Sequence, residues 1–552
     1  MQQPNRIRIL AVIASLCILS SCSKTNKPGR MVPKDAGFIM HLSGKSMTGK
    51  MNMAEIRQTE WYKQLLVDLK SDSTQNELMK KIGENAKNAG LDSLADYIIF
   101  ADNSRIDSSY MVMQGGLKDA AALAAFIKIV YPAGIISKDG DIQSMPIEDK
   151  AVLTWNKEKV MVGYILPSSN NYSRNNWNDS AVRGNFIPQI TSYCKSLFAL
   201  KEDNSMATDD KFTDLVNTDG DMHCWINLGK LMNNMPQMGA LSMLKLDNFI
   251  EGNITAYTLN FENGKITLKS KGYFGKEVDK IMKKYGGGSI NSDMLKNIPT
   301  NNIAGVMALH FNPDGLKELV KLSGMDGMVD LILVPNGISI DDFIKANKGD
   351  IMISVSDLSL KKDSFSFPSL HGKSEIMVTD KPDAKFIFSA AINDKDAFNK
   401  IINYAKKQVG DMGTDAKISF HTNAGYFAIG NSTDYITRYL AGGKTDLPWM
   451  NKISGKPIGM YIDLQKIIKV FSDSNAKDSI SKKISEISLS LWDNIIYNGG
   501  NYNDGAIEQV LEVNMMDKNT NSMKQLFKYM AVVAALEKQK TRSLTVDIEK
   551  IN

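Results

Sequence analysis

A chain of 552 residues, 43% hydrophobic and 23% charged, is long enough for two large domains or several small ones and too apolar to be a disordered polymer. Its 66 Lys and Arg against 61 Asp and Glu leave a net charge of +5 spread along the whole length, which excludes the clustered basic footprint of a nucleic-acid binder. Four cysteines exclude a disulfide-dense scaffold, and beyond the N-terminus no apolar run is long enough to span a bilayer.

In chain order, the first element is an address. Arg6 and Arg8 precede the apolar run Ile9 to Leu19, which has the length of a signal-peptide core rather than of a spanning helix. Leu19-Ser20-Ser21-Cys22 follows and resembles the bacterial lipobox, so residues 1–21 are read as a lipoprotein signal peptide and Cys22 as the lipidated residue. A diacylglycerol plus an N-acyl chain, at about 0.8 kcal/mol per buried methylene, makes such an anchor practically permanent. Residues 22–31 are polar and read as a flexible tether. Ser23, where an Asp would retain the protein at the inner membrane, favours the outer membrane by analogy with lipoprotein sorting. The lack of an acidic run after Cys22 favours its periplasmic face.

From residue 32 onward, strand-like apolar runs that lead straight into helical starts recur at Gly37–Leu42, Met222–Leu228, Ile303–Phe311 and Ile458–Leu464. A helix opens at Asp119 and another at Asp396. Each is followed by two short strands, Ala151–Trp155 with Val160–Ile165, and Ile418–His421 with Tyr426–Ile429. Self-similarity over so long a period predicts a duplicated chain, with halves at 32–288 and 289–552 joined at Gly286-Gly287-Gly288-Ser289. Hairpins are expected at Ile254–Phe261 with Lys265–Tyr273, around Asn263-Gly264, and at Leu489–Tyr497 with Ala506–Met515. Thr74 and Glu77 have capping-box spacing, and residues 167–180 form a low-complexity loop. The expected fold class is α+β, each half a curved, mostly antiparallel sheet with helices packed on one face.

Familiar chemistry is hard to place. Gly44-Lys45-Ser46 and Gly443-Lys444-Thr445 end like phosphate loops, but Ile39 and Arg438 stand where the first Gly is needed. Ser359 and Lys362, and Ser479 and Lys482, have acyl-transfer spacing without the Lys-Thr-Gly partner, and Ser359 falls in what reads as a charged loop. No two of His41, His223, His310, His371 and His421 have helical metal spacing, so no metal site and no cofactor are expected. His41 and His310 occupy matching places at the end of the first strand of each half. They form either a paired polar site or strand-end histidines bonded to backbone carbonyls. Cys194 and Cys224 either pair in an oxidising compartment or stay separate buried thiols. The methionines at 235, 238, 325 and 328 are expected in the core. The competing reading is a polarisable groove for lipid or an apolar peptide.

The Val32-Pro33-Lys34-Asp35-Ala36 lead-in and the block Gly337-Ile338-Ser339-Ile340-Asp341-Asp342-Phe343 with Lys348-Gly349-Asp350-Ile351 resemble domain-of-unknown-function family 4836, a family of uncharacterised Bacteroidetes lipoproteins. The resemblance implies an envelope lipoprotein of about this length and brings no catalytic residues. The expected role is non-enzymatic binding of a ligand or of a protein or glycan partner, with the membrane held through the lipid anchor. The alternative is a hydrolase of envelope or dietary polymers whose site assembles only in three dimensions.

Overall fold

The computed structural model describes residues 27–59, 62–63, 81–82, 85–104, 108–167, 186–232, 245, 247–368, 374–410, 418–474 and 478–551. Two compact units interleave along the chain. One comprises Met1–Gln237, Ile250–Phe261 and Met523–Ala535; the other comprises Met238–Phe249, Glu262–Ser522 and Leu536–Asn552.

The first unit contains β1 (Ala36–Leu42), β2 (Tyr97–Asp102), β3 (Ser108–Gly116), β4 (Ser137–Asp139), β5 (Ile142–Glu148), β6 (Ala151–Trp155), β7 (Lys159–Pro167), β8 (Met222–Asn227) and β9 (Ile254–Glu262). They pair in the order β9-β8-β1-β2-β3-β7-β6-β5-β4, and every pairing is antiparallel. The helix α1 (Gly44–Lys50) follows β1 directly, its first turn capped by Ser43. A second helix, α2 (Ala120–Val130), starts at Asp119, whose carboxylate accepts from the backbone N–H groups of Ala121 and Ala122. Leu123, Ile127 and Val130 fall on one face of α2 and are buried, and Leu123 and Ile127 join a cluster with Met145, Trp155 and Val160. The helix α3 (Ile187–Phe198) buries Ile190, Tyr193, Cys194 and Leu197.

The second unit contains β10 (Lys265–Tyr273), β11 (Ile303–His310), β12 (Asn347–Pro368), β13 (Ser374–Ile392), β14 (Ser419–Thr422), β15 (Tyr426–Gly430), β16 (Ile458–Asp463), β17 (Trp492–Asn503) and β18 (Ala506–Met515). Their order is β10-β18-β17-β16-β11-β12-β13-β15-β14, again antiparallel throughout. The succession β9-β8-β1-β2-β3-β7-β6 in one unit has the same chain order as β17-β16-β11-β12-β13-β15-β14 in the other. Asp504 and Gly505, both at positive φ, make the tight turn between β17 and β18. The core gathers Met352, Ile387, Ala428, Ile436, Tyr439 and Ile453, and Trp449 stacks on Tyr461 with ring centroids 4.5 Å apart. This unit also holds α4 (Lys276–Tyr285), α5 (Pro313–Leu322), α6 (Asp326–Leu333) and α7 (Ile340–Ala346).

Two expectations are corrected. The α+β assignment stands, but the curved sheet expected in each half does not: the strands form open ladders that do not close on themselves. Closure needs a ladder between the outermost strands. In the first unit the outer strand β4 has three residues, all exposed, and in the second β14 has four, three of them exposed. Short polar edges of this kind end a sheet. Hydrophobic alternation reports which face of a strand is buried; it carries no information about closure. The charged segment around Ser359 is likewise strand, not loop. Ser359–Pro368 of β12 pair with Ser374–Asp383 of β13, beyond the reach of both β11 and β15.

Candidate functional site

In the first unit, the register of β1 against β8 sets His41 directly opposite His223. Both residues are about 2% exposed, and their Nδ1 atoms stand 3.0 Å apart. The Nε2 atom of His223 faces the carbonyl oxygen of Thr218 at 3.0 Å, so it must carry the hydrogen. That leaves His223 Nδ1 bare, to accept from the Nδ1–H of His41. The Nε2 atom of His41 stands 3.2 Å from Oδ2 of Asp96. Burial first, then the neighbouring His41, push His223 down to about 4. A proton added to His223 Nδ1 would point at the Nδ1–H of His41, so this donor–acceptor arrangement requires a neutral His223.

The same region holds a second buried polar group. Asp221, with no exposed side-chain surface, accepts from Ser46 Oγ (2.6 Å), Lys50 Nζ (2.5 Å) and the backbone N–H of Phe261 (2.6 Å). Lys159 is pushed below the usual lysine range by burial, against the pull of Asp96, Glu158 and Asp92. Asp221 and the two histidines are buried: Asp221 is held by Ser46, Lys50 and the backbone, and His223 by His41 and the backbone.

His310 behaves differently. It lies opposite Asp350 in the β11–β12 register, and its Nδ1 is 2.9 Å from Oδ1 of Asp350. Asp350 also accepts from the backbone N–H of Asn291 (3.1 Å), whose side-chain amide donates to the Tyr426 hydroxyl (2.8 Å). Gly288, at φ +94°, lies flat on the His310 ring, where any Cβ would sit 2.3 Å from Cδ2. His41 and His310 each find a ring partner inside their own unit. Neither takes the expected backbone-carbonyl bond through Nδ1; His223 makes that kind of contact instead.

The remaining sequence candidates are placed as follows. Cys194 and Cys224 are free thiols, so the disulfide alternative is corrected. The Cys194 sulfur packs over Gly163, within 2.2 Å of where a Cβ would stand, while Cys224 lies in β8 against Met40 and Tyr257. Burial pushes the two thiols up, to about 12 and about 11. In the Gly443-Lys444-Thr445 segment two of the amides are already spent: the Gly443 N–H donates to Asn297 Oδ1 and that of Thr445 to Lys296 O. Ser359 and Lys362 sit in an extended strand, where an odd spacing puts them on opposite faces. His421 is exposed in β14. Met325 and Met328 are 40% and 52% exposed, which corrects their expected place in the core. Cys22, Thr74, Glu77, Met235, Met238, His371 and residues 168–180 of the low-complexity loop lie outside the described residues. Among the described residues no cluster of His, Cys, Asp and Glu has the form of a metal site, and no helix is long and apolar enough to cross a membrane.

One cavity is a different kind of feature. In the first unit a space of about 100 Å³ lies between α2 and the inner faces of β2, β3, β6 and β7. Leu91, Met113, Leu123, Ile127, Leu153 and Val162 are among its walls, Gln114 adds an amide, and none of His41, His223, Asp96 or Lys159 lines it. Its size approaches the roughly 150 Å³ in which a dry protein cavity holds benzene. Sequence reasoning missed it because α2 and the four strands are spread over some seventy positions, and only pairing brings their apolar faces together.

An open antiparallel α+β architecture with an apolar cavity and closed polar clusters defines a class of protein without naming a reaction. The chain belongs to DUF4836, a domain of unknown function, whose family model matches residues 29–426. No curated protein matches it. Among solved structures, crystal form III of TP0453 is similar at a TM-score of 0.25 and 10% identity, covering 48% of this chain and 90% of that one. Crystal form I of TP0453 is similar at 0.24 and 11%, covering 46% and 81%. A likeness of this size carries no argument about function.

Proposed function

We propose that this chain is an exported envelope lipoprotein, acylated on Cys22 and held at the periplasmic face of a bacterial outer membrane, that binds an apolar ligand without transforming it. The binding reading is carried by the cavity of the first unit, whose walls are apolar and whose lining omits the titratable groups packed elsewhere in the same unit. An enzyme needs acids, bases or nucleophiles converging on the space its substrate fills. This space instead favours the apolar portion of a small molecule or of a larger one that leaves its polar part outside.

The test is native mass spectrometry of the protein purified from its own envelope, before and after delipidation. A discrete bound mass that is lost in Leu123→Trp, which fills the cavity from α2, supports the reading. Retention of the same mass in Leu123→Trp, or turnover of envelope polymers by the pure protein, contradicts it.

A further inference from the structure

We infer that α6, with its flanking residues, is a bilayer-docking element of the second unit. It is an eight-residue helix with no buried residue. Met325, Met328, Leu331 and Ile332 recur at the three- and four-residue spacing of a single helix stripe, and they are 40%, 52%, 77% and 61% exposed. Val334, just past the helix, is 60% exposed. Asp326 and Asp330 lie on the opposite side, while Val329 and Leu333 are half-buried. In a helix that serves a core, the apolar stripe faces inward. Here it faces water, and a contiguous stripe differs from the scattered apolar residues of ordinary surfaces.

The helix is also held firmly. The Ile338 N–H donates to Leu333 O and the Gly337 N–H to Val334 O, with Gly337 at φ +70°. That double closure is a Schellman motif and satisfies the last carbonyls of the helix. An ion pair between Lys317 and Asp341 links α5 to α7 on either side of α6 in the chain. The stripe is therefore presented, not frayed.

The occupant we assign is a zwitterionic lipid surface. This rests on the reading that Cys22 is acylated. In that state only five positions separate the anchor from Lys27, at most about 18 Å of extended chain, so the protein stays at a bilayer at high local concentration. Charge does not favour anionic lipid: Lys317 and Lys321 are already matched by Asp341 and Glu318, and Asp326 and Asp330 add negative charge. An amphipathic helix lying in the interface, apolar side down and carboxylates toward water, fits this distribution.

The test separates docking from the anchor. The full mature chain carrying Cys22→Ala is floated with phosphatidylcholine vesicles. The expected result is vesicle binding that high salt does not weaken, lowered at least tenfold by Leu331→Asp with Ile332→Asp, while the melting curve is unchanged because both side chains are exposed. In Leu331→Trp the new indole emission shifts to the blue when vesicles are added. Docking is overturned if the Cys22→Ala chain stays with the soluble fraction, or if the double variant floats as well as its parent. It is equally overturned if the double variant only turns a dimer into a monomer by light scattering, since the stripe would then be a contact between copies. Palmitate labelling of the wild-type protein reports the anchor on its own, so either reading can fail without the other.

Discussion

Acid is the sharpest perturbation of the first unit. Unfolded, His223 takes its proton as the pH falls through the ordinary histidine value of 6.5; folded, it resists until about 4. A group whose folded value is depressed contributes its full stability above the unfolded value and loses it as the pH falls toward the folded one. Two and a half pH units at 1.36 kcal/mol each give roughly 3 kcal/mol, an order of magnitude that fits a fully buried ring with a single donor–acceptor arrangement. The assay is urea unfolding at several pH values between 7.5 and 4, on wild type and on His223→Asn. At neutral pH the variant is less stable, because the contact with His41 is lost. On acidification the gap between the two proteins closes by roughly 3 kcal/mol, most of it between pH 6.5 and 4. Histidine NMR supplies the direct readout, with the His223 imidazole still neutral at pH 5. A gap that stays constant with pH, together with titration of His223 near 6.5, would refute the hydrogen-bond assignment.

Three further outcomes follow from the same structure. Asp221→Asn leaves Lys50 without its buried carboxylate and should cost about 3–5 kcal/mol, read as a lower urea midpoint with unchanged slope. Gly349→Ala combines φ +98° with a Cβ only 2.0 Å from Phe311 O, so it should destabilise the second unit by more than about 1 kcal/mol and disturb the His310 ring signal through Asp350 next door. Cys194 and Cys224 should ignore a thiol reagent in the folded protein at pH 8 and react in denaturant without any reductant, because both are free and both are pushed up by burial.

Strands that alternate and end at turn residues were legible, because burial of one face writes a period of two into the sequence. Thus β1, β8, β11 and β16 stand within a residue or two of the runs that predict them, and Asp119 caps α2 as its position implies. The outer part of the β12–β13 pair was not legible. Lys361, Lys362 and Asp363 read as loop, yet each finds a backbone partner across the ribbon without burying anything apolar. Met325 and Met328 were misplaced for a related reason: helical spacing shows that they share a stripe with Ile332, and it cannot say which way the stripe faces. The polar clusters needed register. His41 and His223 are 182 positions apart, and only the β1–β8 ladder shows that they touch. His310 and Asp350 likewise meet only through the β11–β12 pairing.

The proposed membrane anchor is tested most directly at Cys22. Intact-mass and peptide mass spectrometry of the protein extracted from its native envelope should find residues 1–21 absent and Cys22 carrying a diacylglycerol and an N-acyl chain. A mature N-terminus elsewhere, or an unmodified Cys22, contradicts the account.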